Sequence, residues 1–510
     1  MRVGWVRQLL CITSALITVP AGAESTAILS VNAQGQAAGG VSNNPAISAD
    51  GRFVAFQSSA SDLVSGDTSV NKSDIFLYDR QLNSLTRVSV GLNGTPSNLP
   101  SSTPAISQDG RYVAFESKAS NLVANDSNDT QDIFVYDRIT AATVRVSTGV
   151  NNIQLVGECS HPVISGDGRF VAFGSAAKLT SDDINGVSDV FLHDRDPDQN
   201  GVFDETNSTT IRVSQSGADV TSPGISNFPV ISRNGQYLAY TSADATLVLG
   251  DTNVRKDIFV YNIQTHATER VSVSSSGQQG DDHSSYASLS DDGRYVAFIS
   301  AATNLVSGDS NLQDDVFVRD RLTNITTRAS LSDTETQSAA ASTNPVISGD
   351  GRYVSFISNS GSLTAKLAGS VAAAPVVFDA ITAASGGGTG GATDVKQVIY
   401  RRDLIQQSTV RVSSNNYGAK GDGSMVSLAV SADGMIAAFA SSASNLSCTP
   451  DANSVIDVFV RDMNTTTAPL CAAASATKSK GGGVLLVWTF IPLLAIFVFV
   501  RNRSPRISRL

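Results

Sequence analysis

The stretch Ile106-Ser107-Gln108-Asp109-Gly110-Arg111-Tyr112-Val113-Ala114-Phe115 decides the fold, because close copies of it recur along the chain. The seven copies start at Ile47, Ile106, Ile164, Ile231, Leu289, Ile347 and Val430, at intervals of 59, 58, 67, 58, 58 and 83 residues. Apolar residues on both sides of Asp-Gly predict two strands joined by a tight turn, in which glycine supplies a positive φ. A repeat of this length predicts an array of units that bury their apolar faces against one another.

One unit contains four predicted strands, which we call A, B, C and D. In the second unit they cover residues 104–106, 112–115, 132–138 and 144–147, all rich in β-branched and aromatic residues. None of the repeats carries a helical period. Seven such units predict an all-β, seven-bladed β-propeller of four-stranded antiparallel blades, since a ring leaves only short strand edges exposed.

The N-terminal end predicts how the ring closes. The D strands end in Arg-Val-Ser, or in Arg-Ala-Ser in unit five, at Arg87, Arg145, Arg212, Arg270, Arg328 and Arg411. The seventh unit has no such strand, and residues 28–31 (Ile-Leu-Ser-Val) match the missing one. We therefore expect residues 28–31 to pair with the last unit. Residues 465–471 are the alternative for this place, although Pro469 suits only an edge.

The repeats resemble a known family. Ile-Ser-x-Asp-Gly-Arg-Tyr-Val-Ala-Phe, followed by Asp-Ile-Phe-Val-Tyr-Asp-Arg at 132–138, is similar to the propeller repeats of TolB, a periplasmic protein of Gram-negative bacteria. The resemblance covers residues 28 to about 470 and departs from TolB in lacking Trp before the Ser-x-Asp-Gly turn. The stretch before Ile28 is too short for the N-terminal domain through which TolB acts, so we expect no Tol–Pal role.

Both ends of the chain carry export and membrane signals. Residues 1–23 have Arg2 and Arg7, an apolar run and a small-residue cleavage site, which indicates a secretory signal peptide before a propeller at 24–471. A small-residue linker at 472–483 leads to the uncharged apolar segment 484–500, which has the minimum length of a transmembrane helix. The arginine-rich tail 501–510 predicts a cytoplasmic C-terminus with the propeller on the other side.

The C-terminal segment supports two interpretations. Glycines, an apolar helix and an arginine cluster together resemble the GlyGly-CTERM class of bacterial sorting signals, which implies removal of the helix and release toward the cell surface. The alternative is a permanent single-span anchor. Both place the propeller in the bacterial cell envelope, either in the periplasm or at the cell surface.

Charge and cysteine content fit an exported domain. Without the six arginines of the signal peptide and tail, 30 basic residues face 46 acidic ones, which argues against nucleic acid and favours cations or basic partners. The propeller holds Cys159, Cys448 and Cys471. We expect a Cys448–Cys471 disulfide in unit seven and a buried free thiol at Cys159.

The loop between strands B and C, the B–C loop, carries the most regular site signal. An Asp-x-Asn…Asp pattern recurs in units two, three, four, five and seven, at Asp126/Asn128/Asp132, Asp183/Asn185/Asp189, Asp251/Asn253/Asp257, Asp309/Asn311/Asp315 and Asp451/Asn453/Asp457. Oxygen ligands at alternate positions of a turn suit Ca²⁺. The alternative is that Asp and Asn bond their own backbone in these turns.

An insertion in unit three gives a sharper calcium pattern. Asp196-x-Asp198-x-Asn200-Gly201-x-x-Asp204 resembles the first nine positions of an EF-hand or dockerin loop. Asn207 stands where the bidentate Glu is expected, and Glu205 is the candidate replacement. The alternative here is a plain acidic turn.

The sequence favours a monomeric, non-enzymatic binding or scaffold module, stabilised by Ca²⁺, with an unknown protein or glycan ligand in the envelope. We expect the partner on the face that carries the D–A and B–C loops. His161, His193, His266 and His283 have no metal-ligand spacing, and no Gly-x-Ser-x-Gly motif is present. The rival is a hydrolase or lyase acting on polysaccharide, with its acids gathered at the channel mouth.

Overall fold

The structure is a computed structural model that describes residues 25–67, 72–149, 153–154, 156–215, 224–361, 363, 397–416, 418–448 and 451–464. In this part of the chain one 3₁₀ helix, Leu92–Gly94, and 28 strands form. The strands are β1 (Ser25–Ile28), β2 (Ser42–Ile47), β3 (Phe53–Ser58), β4 (Asp74–Asp79), β5 (Ser84–Arg87), β6 (Ser101–Ile106), β7 (Tyr112–Ser117), β8 (Asp132–Asp137), β9 (Ala142–Arg145), β10 (Cys159–Ile164), β11 (Phe170–Ser175), β12 (Asp189–Asp194), β13 (Thr209–Arg212), β14 (Ser226–Ile231), β15 (Tyr237–Ser242), β16 (Asp257–Asn262), β17 (Thr268–Arg270), β18 (Ser284–Leu289), β19 (Tyr295–Ser300), β20 (Asp315–Asp320), β21 (Ile325–Arg328), β22 (Ser342–Ile347), β23 (Tyr353–Ser358), β24 (Val398–Asp403), β25 (Ser408–Arg411), β26 (Met425–Val430), β27 (Ile436–Ser441) and β28 (Asp457–Asp462).

The strands form seven four-stranded antiparallel sheets. Six sheets take four consecutive strands in the order A-B-C-D, from β2-β3-β4-β5 to β22-β23-β24-β25. The seventh has the order β1-β28-β27-β26. Apolar residues of neighbouring sheets pack into shared clusters, one of which joins unit one to unit seven. The predicted seven-bladed, four-stranded, all-β propeller is confirmed.

Several sequence predictions fall outside the described residues. They are the signal peptide at 1–23, the linker at 472–483, the helix at 484–500 and the tail at 501–510. Among the residues whose placement is described, no helix has the length and apolar character needed to cross a membrane.

Ring closure occurs through the N-terminal strand, as predicted. Strand β1 pairs antiparallel with β28, with Ser25 opposite Asp462 and Ile28 opposite Phe459. The strand begins three residues earlier than expected and ends at Ile28. Its last residue corresponds to the arginine at the end of each other D strand, and Leu29 continues the contact by donating its N–H to Val458 O at 2.7 Å.

A circle of backbone hydrogen bonds joins the A–B turns of all seven units. The second residue of each Ser-x-Asp-Gly turn donates its N–H to the carbonyl of its counterpart in the next unit, except between units four and five, where the following residue, Asn234, donates. The seven bonds, 2.7–3.0 Å long, are Ala49→Gln108, Gln108→Gly166, Gly166→Arg233, Asn234→Asp291, Asp291→Gly349, Gly349→Ala432 and Ala432→Ala49. The last bond returns to the first unit, so the ring is closed at its centre as well as at its rim.

Each turn is held by its own short side chains. In unit two, Ser107 Oγ donates to Asp109 Oδ1 at 2.8 Å and accepts the Tyr112 N–H at 2.9 Å. Gly110 has φ +70°, and a Cβ there would overlap the ring of Phe53 in unit one. That ring also lies 4.4 Å from the guanidinium of Arg138 in unit two. The glycine is therefore required both for the turn and for the approach of the neighbouring unit.

We expect Gly110→Ala to destabilise the propeller more than a glycine substitution that only forces a positive φ. Alanine at positive φ costs about 1 kcal/mol, and the overlap with Phe53 adds about 1–3 kcal/mol. Gly66→Ala is the matched control, because Gly66 has φ +78° and a Cβ added there would meet no atom within 4 Å. Urea unfolding of both variants measures the difference, and equal losses would contradict the packing role of Gly110.

Candidate functional site

The recurring B–C loop residues do come together, and an arginine lies among them. In units two to five the D-strand arginine reaches both aspartates of the pattern. The guanidinium–carboxylate distances are Arg145–Asp126 3.4 Å, Arg145–Asp132 3.9 Å, Arg212–Asp183 3.8 Å, Arg212–Asp189 3.4 Å, Arg270–Asp251 2.9 Å, Arg270–Asp257 3.5 Å, Arg328–Asp309 3.1 Å and Arg328–Asp315 3.5 Å. In unit one, Arg87 pairs with Asp67 at 3.2 Å.

The asparagine of the pattern completes the arrangement. Its amide donates to the second aspartate in all five units, for example Asn311 Nδ2 to Asp315 Oδ2 at 2.8 Å and Asn185 Nδ2 to Asp189 Oδ2 at 2.8 Å; the other donors are Asn128, Asn253 and Asn453. Its Oδ1 accepts a backbone N–H two residues on, as Asn311 does from Gln313. Both groups of the amide are therefore engaged within the loop.

This donor set does not fit Ca²⁺ in units two to five. A guanidinium already lies between the two carboxylates, and a second cation beside it would be repelled. Burial raises the pKa of Asp132, Asp189 and Asp257, and the arginines oppose that rise. Both motifs of this arginine–aspartate contact are visible in the sequence, since Arg-Val-Ser recurs as regularly as Asp-x-Asn…Asp. The sequence alone does not bring the two motifs together, because their proximity depends on the pairing of strands C and D.

Unit seven differs, because its D strand comes from the N-terminus. Ile28 occupies the arginine position, so no guanidinium reaches Asp451 and Asp457 from this strand. Asp457, which has no exposed surface, accepts hydrogen bonds from Ser30 Oγ at 2.6 Å and Asn453 Nδ2 at 2.7 Å. The carboxylate is therefore held by neutral donors where the other units use a charge. Calcium at Asp451, Asn453 and Asp457 stays a prediction.

Charges around Asp457 shift its ionisation. Burial raises the pKa of Asp457 to about 6, and the hydrogen bonds from Ser30 and Asn453 offset part of that rise. The carboxylates of Asp451 and Asp62 add to it by repulsion. This carboxyl group, at the seam where β1 pairs with β28 to close the ring, therefore takes up a proton at a higher pH than an ordinary aspartate.

The unit-three insertion forms a compact acidic turn. Asp196 accepts the N–H groups of Asn200 and Gly201, both at 3.0 Å, and Gly201 has φ +82°. The amide of Asn200 lies between Asp198 Oδ2 at 3.1 Å and Glu205 Oε2 at 2.8 Å. The predicted replacement of the missing carboxylate by Glu205 is compatible with this geometry.

Asp204, at the ninth position of the predicted calcium loop, contacts an arginine. Its carboxylate pairs with Arg195, whose Nε lies 2.7 Å from Oδ1. No group of three or more His, Cys, Asp or Glu side chains is arranged to hold a metal ion within the described ranges. Calcium at Asp196, Asp198, Asn200 and Glu205 stays a prediction, and Asp204 is better explained as the anchor of this loop to strand C.

The cysteines have separate roles. Cys159 is a buried free thiol, as predicted, and burial raises its pKa to about 12, which disfavours a reactive thiolate. Cys448 is disulfide-bonded. Its predicted partner, Cys471, lies outside the described residues, so the pairing stays a prediction.

A central cavity of about 440 Å³ is lined by the A strands of all seven units. It extends along these strands from mid-strand to the A–B turns, where Gln108, Gly166 and Arg233 line it. Most of its lining is Pro, Ala, Val, Ile and Leu. The cavity is therefore an apolar channel at the centre of the ring, on the side of the A–B turns rather than on the loop face where we expected a partner.

Each A strand contains a β-bulge, and in units two to five the residue at the bulge lines this cavity. In units one to six the bulge residue has a positive φ of 49–55° and is Asn44, Thr103, His161, Phe228, Tyr286 or Asn344. Asparagine tolerates this conformation, whereas bulky side chains are strained in it, at a cost of about 1–3 kcal/mol each. Proline follows five of the six bulge residues and further disfavours a positive φ before it.

Three strained bulge residues form an aromatic arc, defined as His161, Phe228 and Tyr286, on one side of the channel. The His161 and Phe228 rings meet edge to face at 4.9 Å between centroids, and Phe228 and Tyr286 lie 4.6 Å apart. His161 is exposed and Tyr286 is 50% exposed. The sequence singled out His161 only as one of four scattered histidines, and it did not single out Phe228 and Tyr286. The available signal was the variation at the position before the Pro-Ala-Ile or Pro-Val-Ile sequence that units one to four and six share.

Strand B of the preceding unit supports the bulge. The Gln57 side chain accepts the Thr103 N–H at 3.0 Å, and Glu116 Oε2 accepts the His161 N–H at 2.9 Å. Glu116 Oε1 also accepts the hydroxyls of Ser102 and Thr103, both at 2.8 Å. In units two and three the strained backbone is therefore held by partly buried hydrogen bonds from the preceding unit.

The arrangement expected of a polysaccharide-cleaving site is not formed in the described lining of the cavity. This lining includes His161, Tyr286 and Arg233 but no Asp or Glu. Arg233 pairs with Asp291 at 3.1 Å. His193 is buried at Thr210, and burial lowers its pKa to about 4, which indicates a structural role. His283 accepts the Lys256 N–H at the B–C loops, apart from the cavity.

Comparison with known proteins adds only general similarity. No family model and no curated protein matches the chain. Among solved structures, the chain is similar to the β-propeller domain, with an open velcro topology, of the Trilobed protease from Pyrococcus furiosus, at 12% identity and TM-score 0.46 over 84% of this chain and 99% of that one. It is also similar to a putative TolB from Agrobacterium tumefaciens, at 16% identity and TM-score 0.37 over 77% and 98% of the two chains.

An oligogalacturonate lyase from Vibrio parahaemolyticus is matched at 10% identity and TM-score 0.47, over 86% of this chain and 93% of the lyase. At these identities and TM-scores, however, none of the matched proteins contributes an activity to this chain.

We expect the charge at the seam to make stability depend on pH. The pKa of Asp457 is about 6 in the folded chain, against about 3.9 in an unfolded one. The folded state therefore holds the proton more tightly, and the free energy of unfolding falls by roughly 2 kcal/mol as pH rises from about 4 to above 6. Asp457→Asn should flatten this part of the profile, as measured by urea unfolding between pH 4 and 8.

The matched control for that experiment is Asp315→Asn in unit five. It removes a carboxylate that faces Arg328, so it should lower stability by about 1–3 kcal/mol at both ends of the pH range. Equal pH profiles for wild type and Asp457→Asn would show that Asp457 does not titrate in this window.

For the acidic turn, we expect Ca²⁺ to raise the melting temperature and a chelator to lower it. Asp198→Asn should remove this response, because it weakens the set of Asp196, Asp198, Asn200 and Glu205. Asp204→Asn should destabilise the chain by freeing Arg195 while leaving the calcium response intact. Scanning calorimetry with Ca²⁺ or chelator checks both, and no shift in the wild type would rule out calcium at this loop.

Proposed function

We propose that this chain is an exported binding or scaffold propeller whose recognition site is the central channel with its aromatic arc. The observation that carries the proposal is the strain at Phe228 and Tyr286. These side chains occupy a backbone conformation that asparagine adopts at the same position in units one and six. A positive φ under a bulky aromatic residue lowers stability, so its retention indicates a role beyond folding.

Burial gives the arc no compensating role in folding. Tyr286 remains 50% exposed, and Phe228 is only partly buried although it lies at the centre of the molecule. Exposed aromatic side chains in a concave, mostly apolar site are the usual features of a ligand pocket. The partner is a protein or glycan of the cell envelope, and the site lies inside the ring rather than on the face of the D–A and B–C loops.

A non-enzymatic role suits the chemistry of this site better than bond cleavage. Glycoside hydrolysis uses a pair of carboxyl groups that flank the scissile bond. Glu116 contacts the arc by accepting the His161 N–H, but it does not belong to the described lining, and both of its oxygens already accept hydrogen bonds. The described lining therefore offers no carboxyl pair for the alternative, a polysaccharide hydrolase or lyase.

Export and retention at the envelope rest on the sequence signals. The signal at 1–23, the apolar segment at 484–500 and the arginine-rich tail place the propeller outside the cytoplasm. The disulfide-bonded Cys448 supports an oxidising compartment. The monomeric state is part of the same proposal.

We expect Tyr286→Asn to separate binding from stability. Asparagine relieves the strain at positive φ, and the lost side chain is half exposed, so the free energy of unfolding should stay equal or rise by about 1 kcal/mol. The same change should abolish capture of the envelope partner by the full-length protein. Urea unfolding and pull-down from envelope fractions, quantified against wild type, measure the two effects.

Leu82→Asn is the control, because Leu82 is 68% exposed on a C–D hairpin away from the channel. It should leave both capture and stability unchanged. Retention of the same partner by Tyr286→Asn and Phe228→Asn would overturn the channel as the recognition site.

A further inference from the structure

We propose that the central channel binds a planar, uncharged aromatic ring, which is stacked against the aromatic arc. This inference rests on the proposed function and names the chemical class of its ligand. Successive rings of the arc contact each other at 4.9 and 4.6 Å, so together they present a continuous aromatic surface to the cavity. A further ring adds to such a surface by the same edge-to-face or offset contacts, each worth about 0.5–1.5 kcal/mol.

The charge of the lining selects against ionic ligands. Among the described lining residues only His161 and Arg233 can carry a positive charge and none is Asp or Glu, and Arg233 is paired with Asp291 at 3.1 Å. A charged ligand would lose its hydration in an apolar channel and find no free counter-charge. Basic side chains, which the net charge of the whole domain would attract, are therefore disfavoured at this site.

The polarity of the lining also selects against sugars. A sugar ring presents hydroxyl groups all round its edge, and each needs a hydrogen-bond partner when it is buried. The lining consists mainly of Pro, Ala, Val, Ile and Leu, and few side chains such as Gln108 and Ser288 offer polar groups. An aromatic ring needs few or no hydrogen-bond partners when it is buried.

The edges of the A strands exclude an added peptide strand. These strands are the edge strands of their sheets, and an edge strand is a template for further pairing. Proline follows the bulge in five units, at Pro45, Pro104, Pro162, Pro229 and Pro345, and it removes a backbone donor. The bulge N–H groups of Thr103 and His161 already bond to Gln57 and Glu116. The channel must therefore recognise its ligand through side chains rather than through backbone hydrogen bonds.

The size of the cavity fits this class. About 440 Å³ lies near the lower end of the range of roughly 300–1,000 Å³ found for small-molecule pockets. One bicyclic ring system fits such a volume, whether it is a free aromatic molecule or the side chain of a polypeptide. Both ligands present the same aromatic ring, and competition with free indole or with a tryptophan peptide distinguishes them.

The test uses 5-fluoroindole and ¹⁹F NMR on the full-length chain in detergent, because the protein carries no fluorine background. We expect saturable line broadening with the wild type and at least about tenfold weaker binding to Tyr286→Asn and Phe228→Asn. Leu82→Asn, in the same detergent, should bind like the wild type and accounts for partition into micelles.

Competitors then define the ligand. Displacement by an end-blocked Gly-Trp-Gly peptide supports an aromatic side chain of a polypeptide, and displacement by free indole alone supports a small molecule. Equal displacement by cyclohexanol or by glucose would overturn the aromatic class, as would fluoroindole binding that the arc variants do not weaken. If the arc variants lose the envelope partner while fluoroindole does not bind, the ligand class is wrong and the binding function stands.

Discussion

The Ser-x-Asp-Gly turn is the constraint on which the rest of this propeller depends. Each turn is fixed locally by a glycine in the left-handed region and by a hydrogen bond from its serine to an aspartate, or in unit four to Asn234. Its backbone then bonds to the next turn, and seven such bonds form a closed circle. Because the circle is closed, no unit can shift without distorting its neighbours. This rigidity lets the A strands hold a strained bulge beside the channel, since the surrounding structure over-determines that conformation.

The sequence predicts what is local and repeated. Asp-Gly between apolar runs is sufficient to place the A–B turn, and the recurrence of Arg-Val-Ser identifies residues 28–31 as the strand that closes the ring. The bounds of β1 were less predictable, because the register depends on pairing with β28 more than 420 residues away in the chain. The bulge was not predictable either. One extra residue in strand A shifts the register and, in units two to five, brings the bulge residue into the lining of the channel, which neither periodicity nor propensity indicates.

The B–C loops show how a correct pattern leads to an incomplete chemical interpretation. Asp-x-Asn…Asp has the spacing of a calcium loop, and the side chains do converge, yet in units two to five the cation among them is a guanidinium. Arginine and Ca²⁺ satisfy the same cluster of carboxylates, and spacing within one loop cannot distinguish them. The distinction depends on the D strand, which is paired to strand C. At the seam that strand comes from the other end of the chain and brings Ile28, so Asp457 is held by neutral donors there.

In a ring of seven like units, each position of the repeat occurs seven times. Selection for folding alone would place similar residues at all seven copies of a position. The turn glycine, the serine at strand A and the apolar core positions follow that rule. The bulge position does not, because asparagine and threonine occupy it in units one, two and six, while histidine, phenylalanine and tyrosine occupy it in units three to five. The three rings are consecutive around the ring and contact one another, which a random scatter of aromatic residues would not produce. Departure from the repeat, concentrated on one side of the channel at a strained position, therefore indicates the surface on which function rather than folding acts.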